Sequence, residues 1–184
     1  KLQEDPPNLV ACAYPPTPEA DYPNIEGRPQ LQEKNAIFSQ IFAMALACDQ
    51  TRVFMNEFTK PLVNSLFEGA SAGHHQLTHD EPGEQPQVHS IILQCMTAMA
   101  TQLEALDAIE EGDGTLLDHC LIFGTSDVSS GKIHSATEFP ILLAGGAGGS
   151  VKMGMHYRGP ANENTSKVLM TITRAMGMNL PSIG

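Results

Sequence analysis

The sequence predicts a three-layer α/β fold around a mostly parallel sheet, preceded by an extended proline-rich arm. Three observations carry that expectation. Long stretches with apolar residues at helical spacing alternate with short stretches that are apolar throughout. The short stretches in LLDHCLIFGTSD and FPILLAGGAGG have the unbroken apolar character of strands buried on both faces of a parallel sheet. The first 30 residues hold seven prolines, a density that denies both helix and central strand.

At 184 residues and 19.8 kDa, with 41% hydrophobic residues and a mean hydropathy of −0.14, the chain has the composition of one globular domain. It divides into an arm over residues 1–29 and a partial α/β domain over 30–184. From Gln30 the segment QLQEKNAIFSQIFAMALACD predicts a helix ending at Asp49, with Ile37, Ile41, Met44, Ala45 and Cys48 on its inward face. TRVFMNEFT is β-branched and aromatic and predicts a strand. A glycine-bearing loop follows, containing SAGHHQLTHD at residues 71–80.

QPQVHSIILQCMTAMATQLEALDAIEEGDG predicts a second long helix, with Val88, Ile91, Ile92, Cys95, Met99, Leu103 and Leu106 inward and Gly112 and Gly114 as its stop. Two apolar strands come next, the second meeting the glycine run AGGAGG, and SVKMGMHYRG predicts a ribbon or edge segment. NENTSKVLMTITRAMGM is the last helix, with Asn164 or Thr165 as its cap and Gly177 just past its end. No internal repeat is visible.

Twenty-one acidic against ten basic residues give a formal charge of −11, which repels phosphate backbones and anionic membrane surfaces. Nucleic acid is therefore not an expected partner. No apolar run approaches the roughly 20 residues of a membrane span. The opening KLQEDPPNLV has no initiator methionine and no signal-peptide pattern, so a processed or partial chain is expected. Cys12, Cys48, Cys95 and Cys120 form no CxxC pair, which excludes a zinc knuckle or thioredoxin-type site. Their even number permits two disulfides in an oxidising compartment, while Cys48 and Cys95 sit in apolar helical patterns where a free thiol is equally ordinary.

Functional groups of open α/β sheets gather where strands end. That rule selects Ser126 and Asp127 after LIFGT, the loop SSGKIHS with Lys132 and His134, and the 69–80 loop. His75 and His79 are four apart, so one helical turn places both imidazoles on one face; His74 is the alternative to His75. A nitrogen from His134 and an oxygen from Asp127 complete a mixed site for a divalent ion, zinc or similar, able to polarise an ester or lower the pKa of a water. The same spacing is also that of surface histidines bonded only to water, and Asp127 equally fits a turn or helix cap.

Lys132 reads as solvated, His89 and His119 as structural, and His156 as non-catalytic. AGGAGG lacks both GxxxxGK[ST] and a placed GxGxxG and reads as a tight turn. HExxH and EF-hand patterns are absent from the sequence.

Taken in order, ACDQTRVF, GHHQLTHDE, EEGDGTLLDHCLIFGTSDVSSGKIHS, FPILLAGGAGG, KMGMHYR and RAMGMNLPSIG resemble the C-terminal half of the bacterial family called domain of unknown function 1552. The likeness runs from about Gln30 to Gly184. That family in turn resembles the alkaline phosphatase and sulfatase superfamily. The resemblance implies an alkaline-phosphatase-like sheet, export to the periplasm or cell surface, and metal-dependent hydrolysis of a phosphate or sulfate ester. It places His75 and His79 on the superfamily's metal-binding pair, with histidine where the acid stands, His134 on its later histidine, and Asp127 on the aspartate after the strand. Val128 stands where a histidine or asparagine is common, a departure at the second metal position.

The superfamily nucleophile belongs to an N-terminal half that these residues do not supply, so other protein chains, including a segment with that half, are expected partners. The alternative the sequence supports is a non-catalytic structural or interaction subunit of an extracytoplasmic complex, with the proline-rich arm lying across a neighbour.

Overall fold

The computed structural model describes residues 12, 14–18, 21–60, 62–160 and 163–183. Among them the order is α1 (Leu31–Ala47), α2 (His74–Asp80), α3 (Pro86–Asp107), β1 (Glu110–Glu111), β2 (Gly114–Thr115), α4 (Leu116–His119), β3 (Ile122–Thr125), β4 (Ile141–Ala144) and α5 (Ser166–Ala175). The expected three-layer, mostly parallel, alkaline-phosphatase-like sheet is not what these residues form. The described strands make two separate two-stranded sheets, β1 with β2 and β3 with β4, and both pairs are antiparallel.

The connection between β3 and β4 explains the correction. A parallel return needs a crossover, usually a helix, whereas residues 126–140 form no helix and Ile122 comes to lie opposite Ala144. The apolar runs are also not covered on both faces. Gly124 lies against α3, where a Cβ would stand 2.7 Å from Met99 Cε, while Phe123 and Leu142 remain exposed. TRVFMNEFT forms no strand either. Phe54 stacks on Phe42 of α1 at 4.7 Å between ring centroids and Val53 and Met55 face solvent, so its aromatic content packs on a helix rather than on a neighbouring strand. SVKMGMHYRG likewise contains no strand.

The helices stand close to their expected places, but α1 buries a different face. Its buried residues are Asn35, Ser39, Ala43 and Ala47, one per turn, while Phe38 and Ile41 are exposed. Small side chains let α1 approach the buried Ala98 of α3, and Asn35 Nδ2 donates to the Ala98 carbonyl at 2.8 Å. Ser39 Oγ turns back to the Asn35 carbonyl at 2.7 Å. On α3, Val88, Ile91 and Leu106 are buried as expected, Ala98 joins them, and Ile92 is exposed.

Two apolar clusters result. Phe67, Ala70, Leu77, Val88 and Ile91 form one, and Ala43, Ala47, Leu106 and Leu116 the other.

Polar side chains close the helix ends. Glu81 is buried, and its carboxylate accepts the Gln87 and Val88 backbone N–H groups at the start of α3, together with Gln87 Nε2. Burial opposes ionisation of Glu81, but the hydrogen bonds from Val88 and Gln87 outweigh it and hold the carboxyl below its ordinary range. Thr115 and Asp118 form a capping box at α4. At α5, Asn164 Oδ1 accepts the Ser166 N–H at 2.9 Å, and Gly177 follows the helix at a φ of 78° that favours glycine.

The AGGAGG run is a tight turn, as expected. Ala147 N–H donates to the Cys120 carbonyl and Gly148 N–H to the Asp118 carbonyl, both at 2.9 Å, so these donors are used within the fold.

Cys12 and Cys48 form a disulfide that ties the arm to the end of α1, while Cys95 and Cys120 are free. Of the arm, residues 1–11, 13, 19 and 20 lie outside the described residues. Its described part holds only the Ile25–Arg28 bridge, and Gln30 Nε2 donates to the Pro23 carbonyl. Among the described residues no helix is long and apolar enough to cross a membrane.

Candidate metal centre

The seven residues of α2 carry three of the chain's histidines, and both ends of this short helix are held by side chains from elsewhere. At its start, Asn64 Oδ1 accepts the Gln76 N–H at 3.0 Å and the Ser65 carbonyl accepts the His74 N–H at 2.8 Å. Gly73 is required there, because a Cβ would meet Asn64 Oδ1 at 2.1 Å. At its end, Gln85 Nε2 donates to the carbonyls of Thr78 at 3.0 Å and Glu81 at 3.2 Å. Leu77 anchors the inner face in the core. A seven-residue helix is too short to persist by propensity alone, so these contacts determine where its imidazoles sit.

They separate the adjacent histidines. His74 turns inward and meets Phe67 edge-on at 5.6 Å, and burial, then the neighbouring His75, pushes its pKa down. His75 instead meets His79 at 5.0 Å between ring centroids. Between the two, position 75 is therefore the one that pairs with His79. His134 arrives from a separate segment and lies 5.0 Å from His79, edge to face at 82°. Three imidazoles from two parts of the chain thus form one contiguous row.

Among the described residues none of these three side chains makes a hydrogen bond or ion pair with a protein group. Their nitrogens are free to meet an exogenous ligand, and three neutral imidazoles suit a borderline divalent ion such as zinc. As placed, the rings meet edge to face, and among the described residues no three His, Cys, Asp or Glu side chains stand as a closed ligand set. Taking up an ion requires the imidazoles to turn, and their χ2 torsion is a broad one.

Asp127 lies past the end of β3, exposed, with Ser126 Oγ donating to its Oδ1 at 3.3 Å, and no hydrogen bond joins it to the row of rings among the described residues. Lys132, His89 and His156 are exposed.

His119 has partners that sequence spacing did not reveal. Its Nδ1 lies 2.8 Å from Glu111 Oε2 and its Nε2 3.7 Å from Asp113 Oδ1. The β1–β2 hairpin around Gly112 turns these carboxylates back onto α4, a return that a glycine between acidic residues could have signalled.

Compared with known proteins, the chain matches no family model, no curated protein and no solved structure.

Proposed function

We propose that this chain is part of an exported, metal-dependent hydrolase of phosphate or sulfate esters, with one divalent ion, zinc or similar, held by His75, His79 and His134. The observation that supports this best is the row of three imidazoles, two from α2 and one from the 129–135 loop, at successive centroid distances of 5.0 Å.

When bound, a divalent ion supplies Lewis acidity toward an ester oxygen. His75 and His79, both on α2, and His134 from the 129–135 loop would hold it. Asp127, past the end of β3, makes no hydrogen bond to the row of rings among the described residues and is left out of this ligand set. Thr78 Oγ1 donates to the His75 carbonyl and Ser126 Oγ to Asp127. The superfamily resemblance places the nucleophile in another chain or segment, which makes that segment the expected partner.

The Cys12–Cys48 disulfide fits an oxidising, extracytoplasmic location.

Metal analysis of the purified protein is expected to find about one zinc-like ion per chain, lost in His79→Ala. A protein that takes up no divalent ion from a titration overturns the metal assignment. Hydrolysis of aryl phosphates and aryl sulfates, with and without added metal, tests the substrate class.

A second reading, a non-catalytic interaction subunit, is favoured by a different observation. The β3–β4 pair leaves Phe123 and Leu142 exposed, and α5 has no buried residue among those described. Both readings expect a partner, so the metal titration separates the two: a chain that sediments in a complex but takes up no divalent ion is a non-catalytic subunit, and one that stays monomeric alone and with its co-purifying proteins is not.

A further inference from the structure

We propose that Gly131 is a positioning residue of the three-histidine site: the absence of a side chain there lets the 129–135 loop seat on Thr78 of α2 and delivers His134 to His79. The inference rests on the metal reading above and adds to it how the third imidazole is brought in. A Cβ at Gly131 would stand 2.7 Å from Thr78 Cβ and 3.0 Å from both Cγ2 and Oγ1. Real Cβ atoms do not approach so closely, so any larger residue must lift the loop or displace the helix.

Thr78 has little freedom to yield. It lies in the same helical turn as His75 and His79, and its Oγ1 donates to the His75 carbonyl at 2.7 Å, which holds its rotamer.

The loop is closed by its own hydrogen bonds. The Ser135 carbonyl accepts both Ser129 N–H at 2.7 Å and Ser129 Oγ at 2.8 Å, and Ser135 N–H donates to the Ser130 carbonyl at 3.2 Å. Gly131 and His134 both sit inside this closed ring. Ile133, the loop's one large apolar side chain, is 75% exposed and anchors nothing. His134 itself has a φ of 52°, a left-handed conformation that the ring imposes on a non-glycine residue.

Gly131, by contrast, is not among the positive-φ glycines. An alanine there meets no backbone objection, and the close approach to Thr78 is the reason for glycine. The site therefore has two parts: a pair of imidazoles permanently on α2, and a third whose presence depends on the Gly131–Thr78 contact.

The test uses the full chain in two measurements, the NOE between the His79 and His134 ring protons without metal, and zinc affinity by titration. Gly131→Ala is expected to lose the NOE and to weaken zinc binding about 10- to 100-fold, the effect typical of removing a residue that orients a ligand. Its affinity should equal that of His134→Ala, and the double variant Gly131→Ala/His134→Ala should bind no more weakly than His134→Ala alone. Adding Thr78→Gly to Gly131→Ala should restore both NOE and affinity, a rescue that a merely structural role for Gly131 would not produce.

Should Gly131→Ala fail to fold, Thr78→Ile crowds the same contact from the helix side and is expected to give the same losses. Retention of the NOE and of wild-type affinity in the crowded variant, or additive losses in the double variant, overturns the proposal. A wild type that shows the NOE but binds no zinc overturns the metal reading and leaves the seat standing.

Discussion

The two parts of this molecule on either side of α4 are built on different terms. Among the described residues every buried side chain lies between Asn35 and Leu116, in the helical part, and none lies in residues 120–183. The helical part closes its own core: α1 crosses α3 on small residues, α2 docks through Leu77, and Glu81, Gln85 and Thr115 satisfy the helix ends. The later part has a two-stranded sheet and an amphipathic α5 whose apolar residues are partly covered but none fully buried. Two strands alone are marginal in water, so this part depends on what it leans against. The three-histidine row straddles the seam, with two rings on the self-sufficient part and one on the dependent part. A site assembled across such a boundary is sensitive to anything that loosens it.

The comparison predicts unequal responses to substitution. The largest loss is expected at Ile91, which is 0% exposed: Ile91→Ala should cost about 2–5 kcal/mol in denaturant unfolding, through lost burial and the cavity left behind. Next comes the disulfide. Cys12→Ser/Cys48→Ser opens a closure across a sequence separation of 36 and should cost about 2–4 kcal/mol. A wild type insensitive to reductant would place the arm outside the stable unit.

Acid should act on the helical part through Glu81, measured without metal. Because the folded-state pKa of Glu81 lies below its ordinary 4.5, its contribution is complete above about pH 4.5 and is lost as pH falls through the lower folded value. Glu81→Gln should flatten that acid limb while lowering stability at neutral pH. The smallest effects belong to the later part. Leu142→Ser and Leu169→Ser, at residues 39% and 37% exposed, should each cost about 1–2 kcal/mol, short of the loss at Ile91. Losses there as large as that at Ile91 would show that the two parts share one core after all.

Much of the local structure was legible in the residues. Helical spacing located α1, α3 and α5, the interval from His75 to His79 put both rings on one face, and AGGAGG read as a turn. Each of these depends on neighbours in sequence. The expected α/β sheet failed for a complementary reason. A strand is defined by its partner, and nothing within LIFGT or FPILLA states whether that partner runs parallel, or whether one exists for TRVFMNEFT. The buried face of α1 likewise depends on its partner, because close approach to α3 favours the small Ala43 and Ala47 over the larger Ile37 and Ile41.

The sequence by itself located α1, α3 and α5 and the turn at AGGAGG, since these follow from interactions a few residues apart, but it put a loop where α2 forms and the stop of α3 at Gly112, beyond its end at Asp107. The tertiary structure alone decided that His74 turns inward to Phe67, that Cys12 joins Cys48, that β3 and β4 run antiparallel, and that His134 meets His79. Those outcomes require surfaces remote in the chain to fit, as Gly131 fits Thr78, and local spacing carries no information about such a fit.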